Sequence, residues 1–415
     1  MSSPVKHEVS DPGEHVSEPT SVDGQADTGS PPIFELRDPW TDPPTKSTAK
    51  STDAPPAIVP PLESDEDTEE ETEEEEEEEA EEAVTVALVR YVKAGDPHGV
   101  GDMLAQGADP DALDARNAWP LVLSAAFRGH LDVLDKLADA GANVELTNPN
   151  GATAVLLASQ NGHTATVKRL LRRHRASPHA AKKTGVTALY AACQNSHVST
   201  CGVLLDAGAS VAVTNADGAT PLAIAAQNGH EEVVSLLLLH GAVVDTPKHD
   251  GATPLIVAAQ LGQKDMCVHL LDGGANVSAR MPDGSTALYL SAQNGHTLLA
   301  AILVGCGAEI DGCALNGCTP LWMAAQEGHR KTVAMLIGAG ANVHAANIND
   351  TSPLAIAARC GKTTVMKLLL AVGASIEHED AFGFTGLDHA VEGGFADAVA
   401  LLASAADDVT RRSAQ

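Results

Sequence analysis

One phrase of sequence returns at an interval of 33 residues, and it governs what the rest of the chain can become. Its clearest copy runs from Asp217 to His249, DGATPLAIAAQNGHEEVVSLLLLHGAVVDTPKH. The next, from Asp250 to Pro282, reads DGATPLIVAAQLGQKDMCVHLLDGGANVSARMP. DGSTALYLSAQNGH follows from Asp283, NGCTPLWMAAQEGH from Asn316 and NDTSPLAIAARCGK from Asn349. A fixed period of this size means stacked units, each too small to cover its own apolar face.

The chemistry of each copy specifies a small helix pair. The Asp-Gly or Asn-Gly at its start makes a tight turn, because glycine reaches φ > 0 at little steric cost. Thr220 stands where an N-cap hydroxyl accepts from the first free backbone N–H groups. Pro221 follows at the first helical position, where its missing N–H costs nothing. Leu222, Ala225 and Ala226 share one face of a short helix, and the alanines let neighbouring backbones approach. Asn228-Gly229-His230 turns the chain into a second helix with Val233, Val234, Leu237 and Leu238 apolar. Gly241 sits just past its end, where a left-handed residue is wanted. Val243, Val244 and the next Asp-Gly complete a returning arm.

The period, the T-P-L-x-x-A-A run and the Gly-Ala that ends the second helix resemble the ankyrin repeat. The resemblance implies an all-α fold, an ankyrin-type α-solenoid of about ten helix-turn-helix repeats with β-turn fingers, preceded by a disordered N-terminal arm. Units are expected at 84–116, 117–149, 150–183, 184–216, 217–249, 250–282, 283–315, 316–348, 349–381 and 382–415. The first lacks T-P-L and the last has Gly386 in place of proline, so both read as caps whose outer faces meet water. The family's His after T-P-L is absent throughout. That column holds Leu123, Leu156, Tyr190, Ala223, Ile256, Tyr289, Trp322, Ala355 and Asp388. Whether the turn keeps the side-chain hydrogen bonds of that His is left open by the sequence.

Residues 1–83 read differently. Pro, Ser, Thr and acids dominate without apolar periodicity, so a disordered arm is expected. It holds 26 of the 56 acidic residues but 4 of the 26 basic ones, so most of the formal charge of −30 resides there. The glutamate run from Glu69 to Glu82 is broken only by Thr72 and Ala80. Such a run solvates and repels, or contacts basic partners such as histone-like tails. Ser64, Thr68 and Thr72 each have an acid three residues on and resemble targets of acid-directed, casein-kinase-type enzymes. Ile33, Phe34, Leu36, Pro39 and Trp40 form an apolar island, either a docking motif or chance.

Several function classes lose their footing here. No basic-then-apolar leader opens the sequence, and no stretch approaches the roughly 18–20 apolar residues of a membrane helix, so neither secretion nor a membrane partner is expected. The seven cysteines form no C-x-x-C pair and have no accompanying His cluster, which predicts free thiols, no metal and a cytoplasmic or nuclear location. No phosphate loop, nucleophile elbow, zinc-protease helix or kinase set is present, so no enzyme and no cofactor is expected. His130, His163, His197, His230, His296 and His329 recur at one place in the turn between helices, which predicts a structural role. The acidic balance disfavours direct nucleic-acid binding. A monomer is expected.

Two features depart from plain repetition. The unit 150–183 is one residue longer and carries a basic cluster: Lys168, Arg169, Arg172, Arg173, Arg175, Lys182 and Lys183. Lys168 with Arg172, and Arg169 with Arg173, are like-charge helical pairs that destabilise mildly. The cluster is a solvated face, a nuclear-import sequence or a dock for the glutamate arm.

The second feature is a surface. By resemblance, partners bind a concave face formed by the turn tips and the exposed end of the first helix. The matching pairs are Gln160-Asn161, Gln194-Asn195, Gln227-Asn228, Gln260-Leu261, Gln293-Asn294 and Gln326-Glu327. Amides donate and accept, so this ladder suits an extended peptide backbone, or it is mere repetition. Tyr289 and Trp322 hold the same position in adjacent units, and either anchor a partner or fill the space of the missing His. The function implied is a non-catalytic protein–protein scaffold or adaptor. The alternative is a nuclear regulator whose acidic arm binds basic partners while the array recruits another factor.

Overall fold

A computed structural model describes residues 67–413, with side chains described from 79 to 407. The chain upstream of residue 67, with the apolar island and Ser64, lies outside the described residues. Among the described residues twenty helices follow one another as ten pairs, and two-residue strands, Leu113–Asp114 against Trp119–Pro120, pair at the first finger. In the second to ninth units the first helix has 7 or 8 residues and the second has 9. Helices this short do not hold in water alone, so their stability must come from packing.

Local chemistry sets each start and stop. Thr220 accepts the Ala223 N–H at 3.1 Å, and Pro221 opens the helix Pro221–Gln227. The same cap recurs at Thr153, Thr187, Thr253, Thr286, Thr319, Ser352 and Thr385. Between the helices of a pair the chain passes through a left-handed residue, such as Gly229 at φ 76°. Ser196 takes that conformation in the fourth unit at φ 60°, without glycine's freedom.

First helices pack on the first helices of neighbouring units, and second helices on second helices. Leu222, Ala225 and Ala226 are fully buried in this stack, as are Val233, Val234 and Leu237 of the following helix. One apolar core runs unbroken from Leu88 to Leu402.

The fingers are joined by backbone. Each turn places two residues at its tip, and the first of them donates its N–H to the carbonyl of the second tip residue one unit earlier. Lys183 reaches Asn150, Ala216 reaches Thr184, His249 reaches Asp217, Leu315 reaches Asp283, Ile348 reaches Asn316 and Ala381 reaches Asn349, at 2.7–3.1 Å. Pro282 has no N–H to give, so the stitch to Asp250 is missing there. A second tie uses carboxylates: Asp111, Asp245 and Asp311 accept the backbone N–H groups of Asn143, Asn276 and Asn342 in the next units.

Two sequence expectations need correction. The first helix runs from Asp67 to Ala94, so residues 67–83 are helical and do not belong to a disordered arm ending at 83. Leu88 and Val92 are fully buried and anchor this helix. Glutamate propagates a helix well once a packed segment has nucleated it, and its charge suits the positive N-terminal end. In the third unit, Arg175 takes the left-handed place of Gly141 and Gly208, at φ 55°. Ala176 is buried there as Ala142 and Ala209 are in their units, so the extra residue is absorbed in the loop before it.

Candidate functional site

The last carbonyls of a helix have no partner within it. In six first helices one late carbonyl is taken by the following unit. The Gln194 carbonyl accepts from Asn228 Nδ2 at 2.9 Å and lies 3.0 Å from His230 Nε2. Asn195 and His197 meet at the Gln160 carbonyl, Asn161 and His163 at Phe127, and Asn294 and His296 at Gln260. His329 alone closes on Gln293, and Gln263 does the same work on Gln227 at 2.7 Å. The recurrent histidines are therefore structural, as the sequence predicts. The asparagines of the ladder are partly engaged: the Nδ2 groups of Asn195, Asn228 and Asn294 brace neighbouring units.

The glutamines differ. The side-chain amides of Gln194, Gln227, Gln260, Gln293 and Gln326 make no hydrogen bond among the described residues. Gln194 and Gln260 are exposed, the other three half-buried, and Glu327 is exposed beside Gln326. Gln160 begins the row but accepts from Lys182 Nζ at 3.2 Å. One amide per unit thus lines successive first helices, about 10 Å apart as packed helices are.

Tyr289 and Trp322 do not join that surface. Each is only 7% exposed, and Tyr190 in the same column is 4% exposed. They reach forward to the next finger: Trp322 Nε1 donates to the Thr351 carbonyl at 2.9 Å, and Tyr190 Oη lies 3.1 Å from Asn215 Nδ2. Burial pushes the Tyr190 and Tyr289 hydroxyls up to about 12, helped at Tyr190 by the Asp217 carboxylate. These aromatic side chains are packed inside the stack, and Trp322 and Tyr190 bond to the finger that follows. Where the column holds Leu123, an Asn at the turn start suffices, as Asn148 Oδ1 accepts from the Asn150 and Ala152 N–H groups.

The basic cluster is partly spent inside the fold. Arg169, Arg173 and His174 converge on Asp135 of the preceding unit, and Arg173 also grips Asp139 at 2.9 Å. Asp135 therefore bridges the like-charge pair Arg169–Arg173. Lys182 is lowered from its ordinary range by burial. Lys168, Arg172, Arg175 and Lys183 are exposed and carry no ion pair among the described residues. Lys168, Arg169, Arg172 and Arg173 line a shallow groove of about 420 Å³ with Leu131 and Ala165.

Two further groups carry chemistry. His389 Nε2 lies 2.8 Å from Asp380 Oδ2, both buried, and Asp380 also accepts the Phe382 and Phe384 N–H groups. His389 Nδ1 meets no hydrogen-bond partner, so no hydroxyl or thiol is aligned for activation. The pair locks the last finger to its helix, and its signal in the sequence was the Asx column Asn148, Asn215, Asn347, Asp380 at turn starts. Cys193 and Cys201 bring their sulfurs to 3.5 Å as free thiols, with Cys193 pushed well above the ordinary thiol range by the Cys201 contact and by burial. Sequence reading also passed over the tips of the last fingers, where Leu315, Ile348 and Phe382 are exposed.

No helix among the described residues is long and apolar enough to cross a membrane. Comparison with curated proteins found no match. A model of ankyrin repeats in three copies matches residues 121–215, 208–281, 270–347 and 339–413. These segments overlap to cover most of the chain, and with ten stacked helix pairs joined finger to finger they show that it belongs to the ankyrin-repeat family, whose repeats are protein-interaction modules.

Proposed function

We propose that this chain is a non-catalytic scaffold or adaptor that holds a protein partner along the face made by its fingers and the exposed ends of its first helices. The observation that carries this reading is the row Gln194, Gln227, Gln260, Gln293 and Gln326, whose amides make no hydrogen bond among the described residues. A row of unpaired donors and acceptors on rigid helices suits the backbone of an extended segment at little ordering cost. The fold names a mode of binding, and the partner is set by the side chains on this face. Seven free thiols fit the reducing cytosol or nucleus, and we assign the protein there as a monomer. Proximity labelling in the native cell tests the reading. Replacing Gln194, Gln227, Gln260 and Gln293 with Ala should remove specific proteins from the labelled set; an unchanged set contradicts it.

A nuclear role is favoured by a separate observation, the glutamate run carried on helical backbone that leads into the first unit. Such an acidic helix offers closely spaced carboxylates to basic proteins. Capture of histones that collapses as salt rises would support that role; capture indifferent to salt would speak against it.

A further inference from the structure

The finger tips change character along the array. The earlier turns present Pro149-Asn150, Lys183-Thr184, Ala216-Asp217, His249-Asp250 and Pro282-Asp283 at their centres. The last three present Leu315-Asn316, Ile348-Asn349 and Ala381-Phe382. Leu315 is 75% exposed, Ile348 71% and Phe382 72%. Turn centres favour Gly, Pro, Asn, Asp and Ser, and large apolar side chains are foreign to them. The fold does not need these three, since Ala216 and Pro282 serve the position of Leu315 and Ile348 elsewhere, and Asp217 and Asp283 that of Phe382.

They are also neighbours. Ile348 N–H donates to the Asn316 carbonyl beside Leu315, and the N–H of Ala381, next to Phe382, to the Asn349 carbonyl beside Ile348. The three tips thus form one apolar ridge on a stitched backbone, and a contiguous apolar patch with a polar rim marks an interaction site.

The rim gives the sign of the partner. The fingers 308–319, 341–352 and 374–385 contain Glu309, Asp311, Asp350, Glu377, Glu379 and Asp380 and no Lys or Arg. Some of these serve the fold: Glu309 pairs with Arg280, Asp311 ties the next unit and Asp380 holds His389. Glu377 and Glu379 are exposed on the arm leading to Phe382 and have no ion pair among the described residues. The earlier fingers mix acids such as Asp217, Asp245 and Asp250 with Lys182, Lys183, Lys248 and Arg280.

We propose that the ridge of Leu315, Ile348 and Phe382 docks a basic segment of a partner protein, one that sets apolar side chains between lysines or arginines. The apolar groups cover the tips, and the cations meet Glu377 and Glu379. This deepens the scaffold reading and rests on it.

A random peptide library selected in parallel on the full-length wild-type chain and on variants tests it at physiological salt. One variant is L315S/I348S/F382S, a second is E377K/E379K, and a third replaces Gln194, Gln227, Gln260 and Gln293 with Ala. The expected result is a class of peptides rich in Lys/Arg and apolar residues that the first two variants bind at least about tenfold more weakly. Such peptides retained equally by both variants, as when the glutamate helix alone holds them, overturn the proposal. Peptides lost only by the glutamine variant overturn the ridge and leave the scaffold reading standing. No enriched peptide on any chain overturns both. A wild-type dimer in sedimentation that L315S/I348S/F382S abolishes also overturns it, because the ridge is then covered by a second copy.

Discussion

His230 Nε2 stands 3.0 Å from the backbone carbonyl of Gln194, one unit away. That carbonyl also accepts from Asn228, so one orphan helix end is closed by two side chains of the neighbouring unit. The repeated histidine is thus a brace between units rather than part of a binding or catalytic site.

Removing the brace should loosen one boundary rather than the whole array, because each unit touches only its neighbours. His230→Ala is expected to cost about 1 kcal/mol, with faster amide exchange concentrated in units 184–216 and 217–249. Gln263→His, which restores the common residue in a unit that lacks it, should change stability by less than about 0.5 kcal/mol. Denaturant melts and hydrogen exchange check both.

Trp322→Ala should destabilise by about 3–5 kcal/mol, since it empties a buried site and leaves the Thr351 carbonyl without its donor. Trp322→Phe should recover most of the packing and lose only the hydrogen bond. Partner capture should survive both wherever the chain remains folded. A loss of capture by folded Trp322→Phe would return this residue to the recognition surface.

Alkaline titration should find the buried phenols. Tyr190 and Tyr289 are raised to about 12 by burial, so the unfolded chain loses these protons near the ordinary value of about 10 while the folded chain keeps them. Their contribution to stability is complete below pH 10 and falls as pH rises from about 10 to 12. The Cys267 thiol, also raised to about 12 by burial, begins the same decline from about 9. Tyr190→Phe with Tyr289→Phe should flatten the upper part of the decline in urea midpoints measured against pH.

Asp135→Asn should weaken the third unit more than loss of any single cation from the cluster, because Arg169, Arg173 and His174 share that carboxylate. Lys168→Ala should be neutral or slightly stabilising, relieving its clash with Arg172 by about 0.3 kcal/mol. Arg175→Gly should stabilise by about 1 kcal/mol, because the backbone there is left-handed. Thermal melts rank the three.

The period made the fold legible. Caps at Thr220 and its equivalents, the alanine face and the left-handed turn residues are all local consequences of residues in view. What lay beyond the sequence was which polar groups are already engaged. Asn228 and Gln227 look alike as a pair, yet one braces its neighbour and the other is open, because only stacking brings a carbonyl beside the asparagine. Trp322 could not be told from an anchor until the next finger was in place to cover it. The glutamates from 69 onward lacked apolar periodicity, so the sequence alone did not extend the first helix through them; its anchor lies downstream, at Leu88 and Val92. Leu315 and Ile348 were visible as letters, but their exposure follows from the turn that lifts them to the tip.

The most direct test of the recognition surface is site-specific photo-crosslinking in the native cell. A photoreactive residue is placed in turn at Gln227, at Gln260, and at Leu239 on a second helix, 84% exposed and away from the row. The account predicts discrete crosslinked partner bands from Gln227 and Gln260 and none in common from Leu239. Bands from Leu239 alone, or the same bands from all three, would contradict it.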